Sequence, residues 1–251
     1  MSTFDPFADL EAALRGEIDN TETAGVRIDS TRRTRTGAPE VIYGKGKTAE
    51  QIVAGIRRLI PAEGRALAAR VDAIQAASVE TLLTGEQIAL TYDSSSCILV
   101  ASDAGRLPST GGGRVGIITA GSTDRPQALE AAAILYEMGC ETMVVHDMGV
   151  AGLHRLVQPL RQIIGFDPDA LIVVAGMDGV LPGVVSGLVA LPIVALPTST
   201  GYGFGGDGLG AMTTMMQACS PGIAVVNIDN GIGAGIMAGL IANRAASQRS
   251  P

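Results

Sequence analysis

From Arg114 onward, short apolar runs recur at a regular interval, and that interval leaves few folds open. The runs are VGIITA (115–120), TMVVH (142–146), ALIVVAG (170–176), PIVALP (192–197) and IAVVNI (223–228). Between them the sequence predicts helices over Pro126 to Met138, Leu153 to Ile164, Val180 to Leu188 and Leu209 to Ala218. A final helix follows Asp229-Asn230-Gly231. Strands that are apolar throughout, rather than alternating with polar residues, belong in a parallel sheet covered on both faces. Right-handed crossovers then place helices on either side, which predicts a doubly wound, five-stranded, flavodoxin-like α/β sandwich.

The preceding residues follow another pattern. Phe7, Leu10 and Leu14 recur at helical spacing within Phe4 to Glu17. A basic loop runs from Asp29 to Gly37, PEVIY (39–43) is a short strand, and Gly44-Lys45-Gly46-Lys47 is a turn. Thr48 caps a helix reaching about Ile60, with Ile52, Val53 and Ile56 on one face. Residues 62–100 read as a helix and short strands, and Ser102 to Gly113 has the composition of a linker. The expected division is a smaller N-terminal α/β domain over 1–110 and a larger domain over 111–251.

Charge is distributed unevenly between the two. Residues 1–110 carry 27 charged side chains, whereas 111–251 carry only 16 but hold 24 of the 33 glycines. So little solvating charge on an apolar half means burial against other subunits or in a membrane. The most apolar region, Leu171 to Pro197, is interrupted by Asp178, Pro182 and Pro192, so oligomerisation is the expectation. A net charge of −7 argues against nucleic-acid binding, since phosphate backbones require a basic face. The acidic amino terminus lacks a signal-peptide pattern. Cys97, Cys140 and Cys219 form neither a CxxC pair nor a disulfide framework, so a cytoplasmic protein is expected.

In doubly wound sheets ligands sit beyond the carboxyl ends of the strands. Five loops lie there, at 121–124, 146–150, 176–179, 198–208 and 227–231, and they concentrate glycine and polar side chains. Glycine lets a ligand approach backbone N–H groups, and helix N-termini attract anions, so a phosphate- or carboxylate-bearing ligand fits. Asp124-Arg125-Pro126-Gln127 has capping-box chemistry, so Asp124 suits a cap as well as a ligand contact. Ser122 and Thr123 exceed what one cap needs. The 198–208 loop holds five glycines in eleven residues, more than a turn requires, which makes Ser199, Gly201, Tyr202 and Gly203 binding candidates. Gly46-Lys47-Thr48 ends like a phosphate loop, but Val41 stands where that motif needs glycine. Lys47 stays open between a plain turn and a phosphate contact. No GxGxxG follows Val115. His146 and His154 lack zinc-site spacing, and His154 reads as a helix surface or interface residue. Cys140 and Cys97 flank strands and read as small core residues; Cys219 ends a Met-rich helix.

Six blocks carry a family resemblance: RTGAPEVIYGKGKT, GIITAGSTDRPQALEAA, MGVAGLHR, VVAGMDGVLPGVVSGL, PTSTGYG and CSPGIAVVNIDNGIGAG. Together, from about Arg32 to Gly235, they resemble the LarB family, the pyridinium-3,5-biscarboxylic acid mononucleotide synthases. These catalyse the first step of nickel-pincer nucleotide synthesis for lactate racemase. The C-terminal half is similar to the PurE-like fold, in agreement with the sheet. The resemblance implies conversion of nicotinic acid adenine dinucleotide, carbon dioxide and water to the biscarboxylated mononucleotide and AMP. It also implies a homo-octamer. By that resemblance Cys219 matches the nucleophile. Asp178 matches the acidic position of proton transfer, where Glu is the commoner residue and one methylene longer.

The implied chemistry answers a physical difficulty. An electron-poor pyridinium cannot attack carbon dioxide, whereas a thiolate adduct of it is enamine-like and can. Free thiols ionise near pH ~8.5, and a neighbouring cation favours the thiolate. Hydrolysis of the phosphoanhydride calls for Mg²⁺; its ligands are not legible. Ser122, Thr123, Asp124 and the 198–208 loop are candidates for holding the substrate. Arg33 and Arg35 either reach its pyrophosphate or form a solvated basic loop. Two other readings compete: an aminoimidazole ribonucleotide carboxylase or mutase, whose chemistry relies on a His that the GMDG loop lacks, and a non-catalytic nucleotide-binding module.

Overall fold

The computed structural model describes residues 5, 7–15, 22–103 and 106–249. Its contacts divide the chain into Met1–Leu107 and Pro108–Pro251. Among the described residues no helix is long and apolar enough to cross a membrane.

The first unit contains α1 (Ala8–Leu14), α2 (Arg32–Thr36), β1 (Val41–Tyr43), α3 (Ala49–Glu63), β2 (Arg65–Ala69), α4 (Ala73–Leu82), β3 (Ile88–Asp93) and β4 (Ile98–Asp103). Its sheet has the order β1-β2-β4-β3; β1 runs parallel to β2, and the other pairs are antiparallel. Capping boxes start both long helices. Thr48 Oγ1 accepts from Gln51 N–H while Gln51 Oε1 accepts from Thr48 N–H, and Asp72 and Gln75 repeat the exchange. Ile52, Val53, Ile56 and Leu59 of α3 are buried against the sheet, each worth about 1.5–3 kcal/mol relative to exposure.

Two expectations need correction in this unit. The basic stretch is the short helix α2, not a loop, and it is held by ion pairs: Arg32–Glu40 at 2.6 Å, Arg33–Glu63 at 2.8 Å and Arg35–Asp29 at 2.5 Å. Cys97 is not a core residue but sits, partly exposed, in the tight β3–β4 turn with φ 55°. The helix expected within Phe4 to Glu17 is present as α1, with Phe7 and Leu14 exposed; Phe4 and Glu17 lie outside the described residues.

The second unit contains β5 (Arg114–Thr119), α5 (Arg125–Glu137), β6 (Glu141–Val145), α6 (His154–Gly165), β7 (Ala170–Ala175), α7 (Leu181–Ser186), β8 (Ile193–Pro197), α8 (Leu209–Met216), β9 (Ile223–Val225) and α9 (Gly231–Arg249). All five strands are parallel, in the order β6-β5-β7-β8-β9. Every residue of β7 and β8 is buried, as expected of strands covered on both faces. Leu171, Val173, Ala175, Ile193 and Ala195 pack under α6, α7 and α8, and α5 and α9 pack together and cover the opposite face. The doubly wound sheet and the separate smaller one match the expected architecture. Two elements are shorter than the sequence suggested. β9 stops at Val225, because the chain turns away toward Asp229. α7 covers only Leu181–Ser186.

Candidate functional site

The strand order fixes where a ligand can enter. β6 and β7 flank β5, so the chain reverses its progression across the sheet there. The loops after β5 and β7 lead to helices on opposite faces, which opens a crevice at their carboxyl ends. The backbone around it is under local strain. Asp147, Met177, Asp207 and Asp229 have φ between 51° and 62°, so four of the eight described non-glycine residues in the left-handed region lie in these loops.

Ser122 and Thr123 are exposed in a 3₁₀ turn at the end of β5. Asp124 does not cap α5, contrary to the capping-box expectation. Its side chain points back into the protein, where Oδ2 accepts from Gly121 N–H at 2.8 Å and Oδ1 accepts from the Thr198 hydroxyl at 2.7 Å. Asp124 is 2% exposed and Thr198 fully buried. Burial holds the Asp124 carboxyl above its usual range, against the pull of these hydrogen bonds, and the nearby Asp229 charge adds to the rise. Gly176 is required beside this pair, because a Cβ there would lie 2.6 Å from Thr198 Oγ1.

The glycine-rich loop begins at Thr198. Asp229 Oδ1 accepts from Ser199 N–H at 2.9 Å and from Gln127 Nε2 at 3.2 Å, and Thr200 O accepts from Met177 N–H at 2.7 Å. Beyond Thr200, Gly201, Tyr202, Gly203 and Phe204 are all exposed. Asp178 is exposed next to this loop, and its Oδ1 lies 3.4 Å from Val180 N at the start of α7. On the other side of β5, His146 Nδ1 lies 3.3 Å from Thr119 Oγ1. Burial and then the Arg125 charge push that imidazole's pKa below its usual value.

Cys219 lies elsewhere. It follows α8 and precedes β9, at the amino end of the sheet, whereas the loops above sit at the carboxyl end. It is exposed on a groove of about 360 Å³ between α7 and α8, whose lining includes Gly179, Val180, Gly183, Thr214 and Gln217. The Ser220 hydroxyl donates to Gly183 O at 2.9 Å and fastens this turn to α7. One groove therefore runs from the residues following Asp178 to Cys219. Cys140, in contrast, is buried, and burial pushes its thiol up to about 11.

Arg33, Arg35 and Lys47 belong to the N-terminal unit. Both arginines are ion-paired with carboxylates of that unit. Lys47 N–H closes a turn on Gly44 O, and its carbonyl accepts from Gln75 Nε2. Among the described residues no three His, Cys, Asp or Glu side chains gather as a metal site. The residues that organise the crevice without having been singled out are Thr198, Gln127 and Asp229. Gln127 and Asp229 meet across 102 positions of sequence, so no local pattern reveals the pair.

Residues 20–103 match the family model described as LarB/PurE-like N-terminal domain, and residues 114–250 match the one described as AIR carboxylase. The chain is 42% identical over 222 residues to an uncharacterized protein of Methanocaldococcus jannaschii, covering 86% of this chain and 84% of that one. It is 35% identical over 125 residues to an N5-carboxyaminoimidazole ribonucleotide mutase of the same organism, covering 49% of this chain and 74% of the mutase. The mutase of Thermotoga maritima is 30% identical over 132 residues. With the second model spanning more than half of the chain and the first preceding it, the chain belongs to the AIR carboxylase, PurE-like family, in the LarB form that carries a LarB/PurE-like N-terminal domain.

Proposed function

We propose that this protein converts nicotinic acid adenine dinucleotide, carbon dioxide and water to pyridinium-3,5-biscarboxylic acid mononucleotide and AMP. The paired domains support an enzyme with a carboxylase- or mutase-related role of the PurE type. The specific reaction rests on one observation: the thiol of Cys219 is exposed on an open groove that continues to the loop carrying Asp178. In this reading the Cys219 thiolate adds to the pyridinium ring, and the ring becomes an enamine. The enamine carbon forms a bond to carbon dioxide. Asp178 then takes the proton from that carbon, the electron pair restores aromaticity, and the thiolate leaves. Water cleaves the phosphoanhydride and releases AMP.

In this reading the groove at Cys219 takes the nicotinate ring, and Ser122, Thr123, Ser199, Gly201, Tyr202 and Gly203 hold the remote part of the dinucleotide, at the crevice where doubly wound sheets take their ligands. Mg²⁺ fits as an ion carried on the substrate's phosphates, which it usually meets with one or two carboxylates rather than a full protein cage. Its role is to offset charge on the departing AMP.

The likeness to N5-carboxyaminoimidazole ribonucleotide mutases favours a second reading, a mutase of purine precursors. That reading gives no work to an exposed thiol. One experiment separates the two. The protein is incubated with nicotinic acid adenine dinucleotide, bicarbonate and Mg²⁺, and the products are read by mass spectrometry. The expected result is AMP and a mononucleotide heavier by one carboxylate. Cys219→Ala is expected to abolish both while leaving stability within about 0.5 kcal/mol, since the side chain is exposed. No carboxylated product from the wild type would overturn the synthase reading.

A further inference from the structure

The glycine-rich loop is the exposed part of the crevice, and its root is held more firmly than a turn needs. Three consecutive residues at that root are gripped from outside the loop. Pro197 O accepts from Asp229 N–H at 2.9 Å, the Thr198 hydroxyl donates to Asp124 at 2.7 Å, and Ser199 N–H donates to the Asp229 carboxylate at 2.9 Å. Asp229 therefore takes hold on both sides of Thr198, through its backbone and its side chain. To do so it adopts φ 57°, in the left-handed region that Asp and Asn enter more readily than other residues with a Cβ. Gln127 Nε2 donates to the same carboxylate oxygen and fixes its direction from α5. Past Thr200 the grip ends, and residues 201–204 are exposed.

We propose that Asp229 is a positioning residue: its two-sided hold on Pro197 and Ser199 sets the 199–208 loop in the form that receives the dinucleotide. This rests on the substrate assigned above. A loop fixed at its root loses less conformational freedom on binding, so the hold lowers KM without touching the reacting atoms.

Three chains test it: the wild type, Asp229→Gly and Asp229→Asn. Glycine removes the carboxylate and accepts the left-handed angle, and undiminished protection of β7 and β8 shows that a loss of function in it is not a folding defect. Asparagine keeps an acceptor oxygen and tolerates the left-handed angle. Asp229→Gly is expected to raise KM for nicotinic acid adenine dinucleotide about tenfold with kcat within about twofold, the size expected from losing one or two hydrogen bonds. Asp229→Asn is expected to restore most of the affinity. Amide exchange at 199–208 is expected to speed up in Asp229→Gly, while β7 and β8 keep their protection. An unchanged KM in Asp229→Gly overturns the proposal, and so does unchanged exchange at 199–208. A wild type that does not turn over the dinucleotide overturns the substrate assignment instead, and the exchange measurement still decides the hold on the loop.

Discussion

Asp124 illustrates how a carboxylate can sit in a binding loop and be fully occupied by the protein. One of its oxygens accepts a hydrogen bond from its own loop and the other from the loop at Thr198, and burial raises its pKa above 3.8. The folded protein therefore holds this proton more tightly than the unfolded chain does. Its contribution to stability is full below the unfolded pKa and declines as pH rises through the higher folded value. In Asp124→Asn the Thr198 hydroxyl keeps an acceptor, but the Gly121 N–H faces an amide NH₂. That leaves a part-buried donor unpaired, at a cost of about 1 kcal/mol near neutrality. Urea unfolding from pH ~4 to pH ~7 checks both parts: the wild type is expected to be more stable throughout, by a margin that shrinks as pH rises. The sequence made Asp124 visible as a polar residue at a strand end, but not which way it pointed. A capping box and an inter-loop bond use the same residue types, and only the 74-residue separation from Thr198 distinguishes them.

At the scale of elements, the fit between α5 and α9 is the tightest constraint. Gly231, Gly235 and Gly239 of α9 are buried against Gln127, Ala131, Ile134 and Leu135 of α5, so the two helices approach closely along this stripe. A Cβ on Gly235 would overlap Ile134 and lie 2.8 Å from Ala131 O. Because the obstacle includes backbone, the helices must separate. Gly235→Ala is expected to destabilise the protein by about 1–3 kcal/mol, read as a lower unfolding midpoint with the m-value unchanged. The helix that starts at Gly231 was legible from its position after the last strand. Its small residues were legible only as composition, since nothing local states which helix lies opposite. The same limit explains β9 and α2. A strand ends where its partner and the following turn require, and α2 is short because Gly37 closes it and ion pairs hold it.

For the whole molecule, the apolar second half leaves a surface to account for. Leu153, Val157, Ile164 and Leu188 are exposed around a groove of about 620 Å³ between α6 and α7. Apolar surface gathered in this way is ordinarily covered by another chain. A mass well above the 25.6 kDa of one chain is expected by light scattering, with the octamer suggested by resemblance as the specific size. Val157→Glu is expected to shift the protein toward smaller species. A wild type that runs as a single chain at micromolar concentration would leave this groove without a covering copy.

By itself the sequence determined the sheet, because strands buried on both faces must be apolar along their whole length, and that pattern needs no partner to be read. It also determined which loops carry polar chemistry, since connectivity alone sends them to the carboxyl edge. Only the tertiary structure decided which of those polar groups face solvent and which face one another. Asp124 and Asp229 turn inward to hold Thr198 and Ser199, Arg33 and Arg35 meet carboxylates, and Cys219 opens on a groove at the far end of the sheet. The physical reason is range. Strand formation follows from a repeat a few residues long, whereas a hydrogen-bond partner is chosen by whatever the fold brings within three ångströms, however far away it lies along the chain.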